Sequence, residues 1–243
     1  MQFTPVQMIG TQRSGSNLLR LMLNQLDGVS APHPPHILER FFPLLPAYGD
    51  LSNPGNFSQL VSDVCKLIEY NPVPWEGVNL QIPTIIARCR QPILAEVFRV
   101  IYEMRAESEN ARIWICKSLV NINFAGQLED NGVRPLYIHL FRDGRDVALS
   151  FKKAIVGEKH VYHIAQQWKR EQEASIQLAS KIGNRRVLKV RYEDLIANPE
   201  KELMKICRFI GGDYNPVALD YYHSDESHKT AHSGVMWENV EKP

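Results

Sequence analysis

Two arginine-bearing loops carry the chemistry that this sequence can do. In the first, Gly10-Thr11-Gln12-Arg13-Ser14-Gly15-Ser16-Asn17, two glycines bracket a polar turn. An apolar run ends at Ile9 before it, and a leucine-rich stretch from Leu18 to Leu23 follows. Strand, glycine-bounded loop and helix is the layout that aims backbone N–H groups and a helix N-terminus at a phosphate. The second loop, Arg142-Asp143-Gly144-Arg145-Asp146-Val147-Ala148-Leu149-Ser150, follows the apolar run Val133 to Phe141. A guanidinium at a strand end and a hydroxyl one or two helical turns on can hold a phosphate dianion between them. Lys117 closes a further apolar run, Ile113-Trp114-Ile115-Cys116, and adds a cation at a strand's carboxyl end.

The first loop has the glycine spacing of G-x-x-x-x-G-K-[S/T], but Ser16-Asn17 stands where a nucleoside-triphosphate loop has its lysine and magnesium-holding hydroxyl. Its cation, Arg13, lies inside the loop instead. No acidic residue closes a following apolar strand in the usual metal-holding arrangement. The expectation is a nucleotide 5′-phosphate held without an essential metal. The second loop offers a further phosphate grip, which an ATP enzyme does not need.

Together the loops resemble those of the sulfotransferases that use 3′-phosphoadenosine 5′-phosphosulfate (PAPS). In that family the first loop commonly reads Pro-Arg/Lys-Ser-Gly-Thr/Ser and grips the 5′-phosphosulfate. The motif Arg-[Asn/Asp]-x-x-Asp-x-x-x-Ser places arginine and serine on the 3′-phosphate. Residues 142–150 match every fixed position of the second motif, while the first departs at Gln12 and Asn17. The resemblance implies that Thr11, Gln12, Arg13, Ser14, Gly15, Ser16, Asn17, Arg142 and Ser150 bind PAPS as donor and PAP as product. Lys117-Ser118 is similar to the start of the Lys-Thr-His stretch of the cytosolic branch, whose lysine grips the bridging and 5′-phosphate oxygens. Leu119 stands where that branch has its histidine base. The run from Arg191 to Glu200, Arg-Tyr-Glu-Asp-Leu-Ile-Ala-Asn-Pro-Glu, also resembles the family, in which the tyrosine lies near the adenine. Tyr192 therefore joins the expected nucleotide site.

Sulfuryl transfer to a hydroxyl or amine needs a group that takes the acceptor's proton. With Leu119 in the histidine position, the candidates fall in the segment Leu26 to Pro46. Glu39 comes first, because several sulfotransferase families place a catalytic glutamate after the first helix, and His36 second. Arg13 and Lys117 would stabilise charge developing on the leaving 5′-phosphate. His33, His36 and Glu39 match no common zinc-ligand spacing, so no metal is expected.

The remainder reads as scaffold. At 243 residues, 44% hydrophobic and 23% charged, the chain has the composition of one globular domain. A net charge of +1 gives no global field for nucleic acid or an anionic membrane, so an anion site must be local. The widely spaced Cys65, Cys89, Cys116 and Cys207 predict free thiols. No apolar run is long enough for a transmembrane helix, and a strand beginning near residue 3 leaves no room for a leader. A cytoplasmic protein is the expectation.

Apolar spacing predicts helices over 57–70, 92–108 and 160–180, and one from Pro199 to Phe209 ended by Gly211-Gly212. Residues 187–192 read as a strand, the proline-dense Leu26–Pro46 as irregular and Asn53-Pro54-Gly55-Asn56 as a turn. Asp146 is the expected cap of the helix after the second loop. Residues from about 40 to 110 read as a helical insertion shaping the acceptor pocket, with Tyr48, Trp75 and Phe98 as lining or core. The polar tail 225–243 reads as mobile or truncated, with His228-Lys229-Thr230 and Ser233-Gly234 as the start of a nucleotide loop.

The fold expected is a single α/β domain with a mainly parallel sheet of four or five strands flanked by helices, of P-loop-like sulfotransferase architecture. The function implied is sulfuryl transfer from PAPS to a hydroxyl or amine of a small-molecule, lipid or sugar acceptor. Its rivals are a phosphotransferase using Mg-ATP and a non-catalytic nucleotide-binding descendant. The partners expected are PAPS, PAP and the acceptor, with no nucleic acid, in a chain that can pair as a homodimer.

Overall fold

The computed structural model describes residues 2–155 and 157–232. Its elements run β1 Thr4–Gly10, α1 Ser16–Leu23, β2 Val29–Ser30, α2 Ile37–Phe41, α3 Pro54–Glu69, α4 Ile82–Arg88, α5 Leu94–Ser108 and β3 Ile113–Cys116. They continue through α6 Ala125–Asp130, β4 Leu136–Phe141, α7 Gly144–Lys153, α8 Val161–Ile182, β5 Val187–Arg191, α9 Tyr192–Ala197, α10 Pro199–Ile210 and α11 Asp225–His232.

The strands form one five-stranded sheet in the order β2-β3-β1-β4-β5, with every neighbouring pair parallel. Parallel strands must be joined by crossovers, which cover both faces and make the strands apolar on both sides. Alternation then sorts the side chains. Val6, Met8, Ile113, Ile115, Ile138, Leu140 and Val190 pack with Leu19, Leu21 and Leu23 of α1 and Leu203, Ile206 and Ile210 of α10. On the other face Trp114 and Cys116 meet the helical region 37–106, while Ile9, Tyr137 and Val187 meet Leu178 and Ala179 of α8. The helical insertion is anchored by an aromatic nest, in which Tyr102 lies 5.1 Å from both Trp75 and Trp114 and Phe98 4.9 Å from Tyr102. Trp75 and Phe98 are thus core residues.

The chain leaves β1 toward the β2 edge and leaves β4 toward the β5 edge. The crevice between β1 and β4 is therefore the point where strand order reverses, and open α/β sheets bind ligands at the carboxyl side of such a point. Gly10 ends β1 there with φ 135°, and a Cβ on it would lie 2.1 Å from the Leu140 carbonyl oxygen of β4. Only glycine lets the two strands close up at this corner.

Three local expectations are corrected. The proline-rich segment is not wholly irregular, since Val29–Ser30 pairs with Ile113 and Trp114 at the sheet edge and Ile37–Phe41 is helical. The Asn53-Pro54-Gly55-Asn56 turn is the start of α3, with the Asn53 side chain accepting from the Gly55 N–H at 2.8 Å and Pro54 at the first helical position. Asp143, rather than Asp146, caps α7, its carboxylate accepting from the Arg145 N–H at 2.9 Å. Within the tail, Asp225–His232 is helical and buries Ser227, Thr230 and Ala231. What holds that polar helix is Arg20 of α1, whose fully buried guanidinium donates to Glu226 at 2.6 Å, Thr230 at 3.0 Å and the Ala31 carbonyl at 3.1 Å. Lys229 pairs with Glu76 at 2.6 Å on the outer side. Ser233 and Gly234 lie outside the described residues.

Candidate active site

The two arginine loops meet over the β1/β4 crevice. Arg13 adopts φ 70°, in the left-handed region, and turns its guanidinium toward α7, where Nε donates to the Ser150 hydroxyl at 3.0 Å. Arg142 donates from Nη1 to the Arg13 carbonyl at 3.2 Å. Burial, and then the facing Arg142, hold the Arg13 guanidinium below its ordinary pKa; it stays charged, as arginines do in proteins. Two half-buried guanidiniums brought together in this way, one of them on the Ser150 hydroxyl, form an arrangement that an anion stabilises. Arg13 thus belongs to the side of Arg142 and Ser150, rather than standing with Lys117 alone.

Both loops are braced from behind. The Thr11 hydroxyl accepts from Gln172 Nε2 at 3.2 Å, and Gln172 Oε1 lies 2.8 Å from His139 Nε2. Because the Gln172 amide nitrogen is donating to Thr11, its oxygen must accept, which puts the imidazole proton on Nε2 of His139. Burial lowers the pKa of that imidazole, so it is held neutral. In the second loop, Trp168 Nε1 donates to the Arg142 carbonyl at 3.1 Å, and the Asp143 N–H donates to Glu193 at 2.9 Å.

Lys117 and Asn17 stand on the other flank of the first loop. Lys117 Nζ donates to Asn17 Oδ1 at 2.6 Å in the first turn of α1. Burial, with Arg20 and then Arg13 as nearby like charges, pulls the Lys117 ammonium down to about 7. Beside it, Ser118 is buried and its hydroxyl lies 3.2 Å from His36 Nδ1. His36 has φ 60°, again in the left-handed region, and the same Nδ1 lies 3.1 Å from Glu39 Oε2. The Ser118 hydroxyl is the hydrogen-bond partner of Nδ1, and Glu39 lies close by as a counter-charge for the ring when it is protonated. Burial first, then Lys117 and Arg40, lowers the His36 pKa to about 4, so the ring is neutral at pH 7. His33 is buried deeper, and burial with Lys117 takes it down to about 2. Among the described residues no cluster of three or more His, Cys, Asp or Glu is placed to hold a metal ion.

The expected residues thus fall into two groups brought together at the carboxyl end of the sheet. Arg13, Arg142, Ser150 and Tyr192 form one, and Lys117, Asn17, Ser118, His36 and Glu39 the other. Thr11 faces away toward α8, and Gln12 is exposed. Gln172, His139, Trp168 and Glu193 escaped sequence reasoning. Only His139, a polar residue inside an apolar strand, gives a signal. The donor set fits a nucleotide carrying two phosphates: besides the paired guanidiniums, Ser14 Oγ and Arg142 Nε are buried without a protein hydrogen-bond partner. The first turn of α1 holds no acidic side chain that would oppose an anion.

Comparison with solved structures finds the same arrangement of the chain. The sulfotransferase domain from the Synechococcus PCC 7002 olefin synthase is 25% identical, with a TM-score of 0.63 over 93% of this chain and 79% of that one. The sulfotransferase domain from the curacin biosynthetic pathway is 22% identical, with a TM-score of 0.63 over 93% of this chain and 80% of that one. Sulfotransferase STF1 from Mycobacterium tuberculosis H37Rv is 16% identical, with a TM-score of 0.51 over 91% of this chain and 71% of that one. The last two are likenesses of fold. No curated protein sequence matches the chain. The sulfotransferase family matches residues 5–216, a span that takes in both arginine loops, Lys117 and Tyr192. On that match and on the fold, the chain belongs to the sulfotransferase family.

Proposed function

We propose that this transferase moves the sulfuryl group of PAPS to a hydroxyl or amine of a small-molecule, lipid or sugar acceptor, without an essential metal. The observation that carries this is the meeting of Arg13 and Arg142 across the β1/β4 crevice, with Ser150 held by Arg13. It is a grip for a second phosphate beside the loop that takes the first. On this account Arg142, Ser150 and Arg13 hold the 3′-phosphate side. The loop amides from Ser14 to Asn17, the N-terminus of α1 and Lys117 face the 5′-phosphate, where they stabilise charge as it leaves.

His36 is the base, with Glu39 as the residue that orients it, which reverses their expected order. His36 Nε2 takes the acceptor's proton as the acceptor oxygen or nitrogen bonds to sulfur and the bond from sulfur to the bridging phosphate oxygen breaks. Glu39, 3.1 Å from Nδ1, steadies the imidazolium that forms, as a carboxylate does in other histidine bases. A neutral His36 at pH 7 is ready to accept, and the negative donor offsets the Lys117 charge that adds to burial in keeping it neutral.

The test is transfer of labelled sulfate from PAPS to a panel of phenols, alkyl alcohols, sugars and amines in the presence of EDTA. Labelled product with EDTA present, formed by wild type and lost in His36→Ala, is expected. Transfer of phosphate from Mg-ATP with none of sulfate from PAPS would overturn the proposal.

A further inference from the structure

Gly15 closes the phosphate loop with φ 87°, and the residue that crowds it is Tyr192, the first residue of α9. A Cβ on Gly15 would lie 2.3 and 2.5 Å from Cδ2 and Cε2 of that ring. The same ring lies under the other loop's cation, with Arg142 Cζ 4.4 Å from its centroid. Tyr192 therefore fills the space between the two phosphate loops and touches both. Its position is imposed from the sheet: β5 ends at Arg191, paired with Phe141, and α9 starts at the next residue. Leu195, fully buried, fixes the following turn of α9, and Glu193 accepts from the Asp143 N–H at 2.9 Å. Two consecutive residues of one helix thus hold both loops.

We infer that Tyr192 is a positioning residue whose ring sets the gap between the two loops, and so determines the preference for a nucleotide phosphorylated at both 3′ and 5′. This rests on the donor assignment above and goes beyond it. The ring acts through Gly15 and Arg142, not as a platform for the base. A ring already engaged by a guanidinium is bound to that cation through its π-system, and Gly15 is required because any side chain would push the ring out.

The experiment is calorimetric titration of adenosine 3′,5′-bisphosphate and of 5′-AMP into wild type, Tyr192→Phe and Tyr192→Leu. Tyr192→Phe keeps the ring and is expected to keep the wild-type ratio of the two dissociation constants. Tyr192→Leu is expected to cut that ratio by about tenfold, with 5′-AMP binding changed by less than about threefold. Gly15→Ala, which displaces the ring from the opposite side, is expected to cut the ratio as well, and it serves where Tyr192→Leu does not fold. Equal weakening of both nucleotides in these variants would mean contact with the base and would overturn the inference. So would an unchanged ratio. Wild type binding the two nucleotides alike would overturn the donor assignment and the inference with it, whereas a wild-type preference that survives Tyr192→Leu and Gly15→Ala overturns the inference alone.

Discussion

The two flanks of the phosphate loop are built from different kinds of charge. On one side Arg13 and Arg142 are permanent cations, locked to Ser150, to the Arg13 backbone and to the Tyr192 ring. On the other side Lys117 and His36 are titratable, drawn down to about 7 and about 4 by burial and by neighbouring positive charge. Guanidiniums suit a phosphate that must be held throughout. A lysine poised near its own titration and a histidine held neutral suit a centre where a proton and a charge move. The contrast divides the site into a part that binds and a part that reacts, and it can be broken experimentally.

The largest effect is expected at His36. His36→Ala should lower kcat by about 10²–10⁴-fold while leaving adenosine 3′,5′-bisphosphate affinity within about threefold, as measured by steady-state transfer and calorimetry side by side. Glu39→Gln should cost about tenfold in kcat. A fall in affinity as large as the fall in kcat would erase the division between binding and reacting.

Lys117 sharpens it next. Its pKa is lowered from 10.5 to about 7, so between about pH 7 and 10.5 the unfolded chain keeps a proton that the folded chain has released. Stability from this residue therefore rises with pH over that window and is lowest below it. Lys117→Met should stabilise the protein at pH 7 by on the order of 1–2 kcal/mol while lowering kcat by about 10²-fold, with thermal melts at pH 6, 7.5 and 9 and steady-state transfer as the measurements. Lys117→Arg should remove the decline in nucleotide affinity that wild type shows as pH rises above about 7, because arginine keeps its charge. No pH dependence in wild type, or the same dependence in Lys117→Arg, would take the titratable charge away from this side.

The smallest effect lies behind the loops. Gln172→Leu breaks the His139-Gln172-Thr11 chain and should lower the melting temperature by a few degrees, about 1–2 kcal/mol, with a loss of nucleotide affinity of only about threefold.

These regions also differed in what the sequence revealed. Both arginine loops were legible because each is a local pattern: a glycine pair before a leucine-rich helix, and a strand-end arginine followed by a capped helix. The parallel sheet followed from their alternation with apolar runs. Partners far apart in the chain left no such mark. Thr11 and Gln172 are 161 residues apart and Asp143 and Glu193 are 50 apart, and neither pair alters any local period. β2 was hidden because two residues, Val29 and Ser30, are too short for alternation to register. α11 was hidden because its buried face is Ser227, Thr230 and Ala231, which makes sense only against the Arg20 guanidinium arriving from α1. The segment after α1 pointed to Glu39 and His36 together, but their order depends on Nδ1 of His36 facing both Glu39 and Ser118. That is a fact of side-chain geometry.

The central claim is that two phosphates are gripped, one of them by Arg142. The most direct test is titration of adenosine 3′,5′-bisphosphate, 5′-AMP and ATP into wild type and Arg142→Ala, each with and without EDTA. The account predicts that wild type prefers the 3′,5′-bisphosphate, is indifferent to EDTA, and loses about 10–100-fold in that affinity, but little for 5′-AMP, when Arg142 is replaced. Binding of Mg-ATP alone, or an Arg142→Ala protein that still selects the 3′-phosphate, would contradict it.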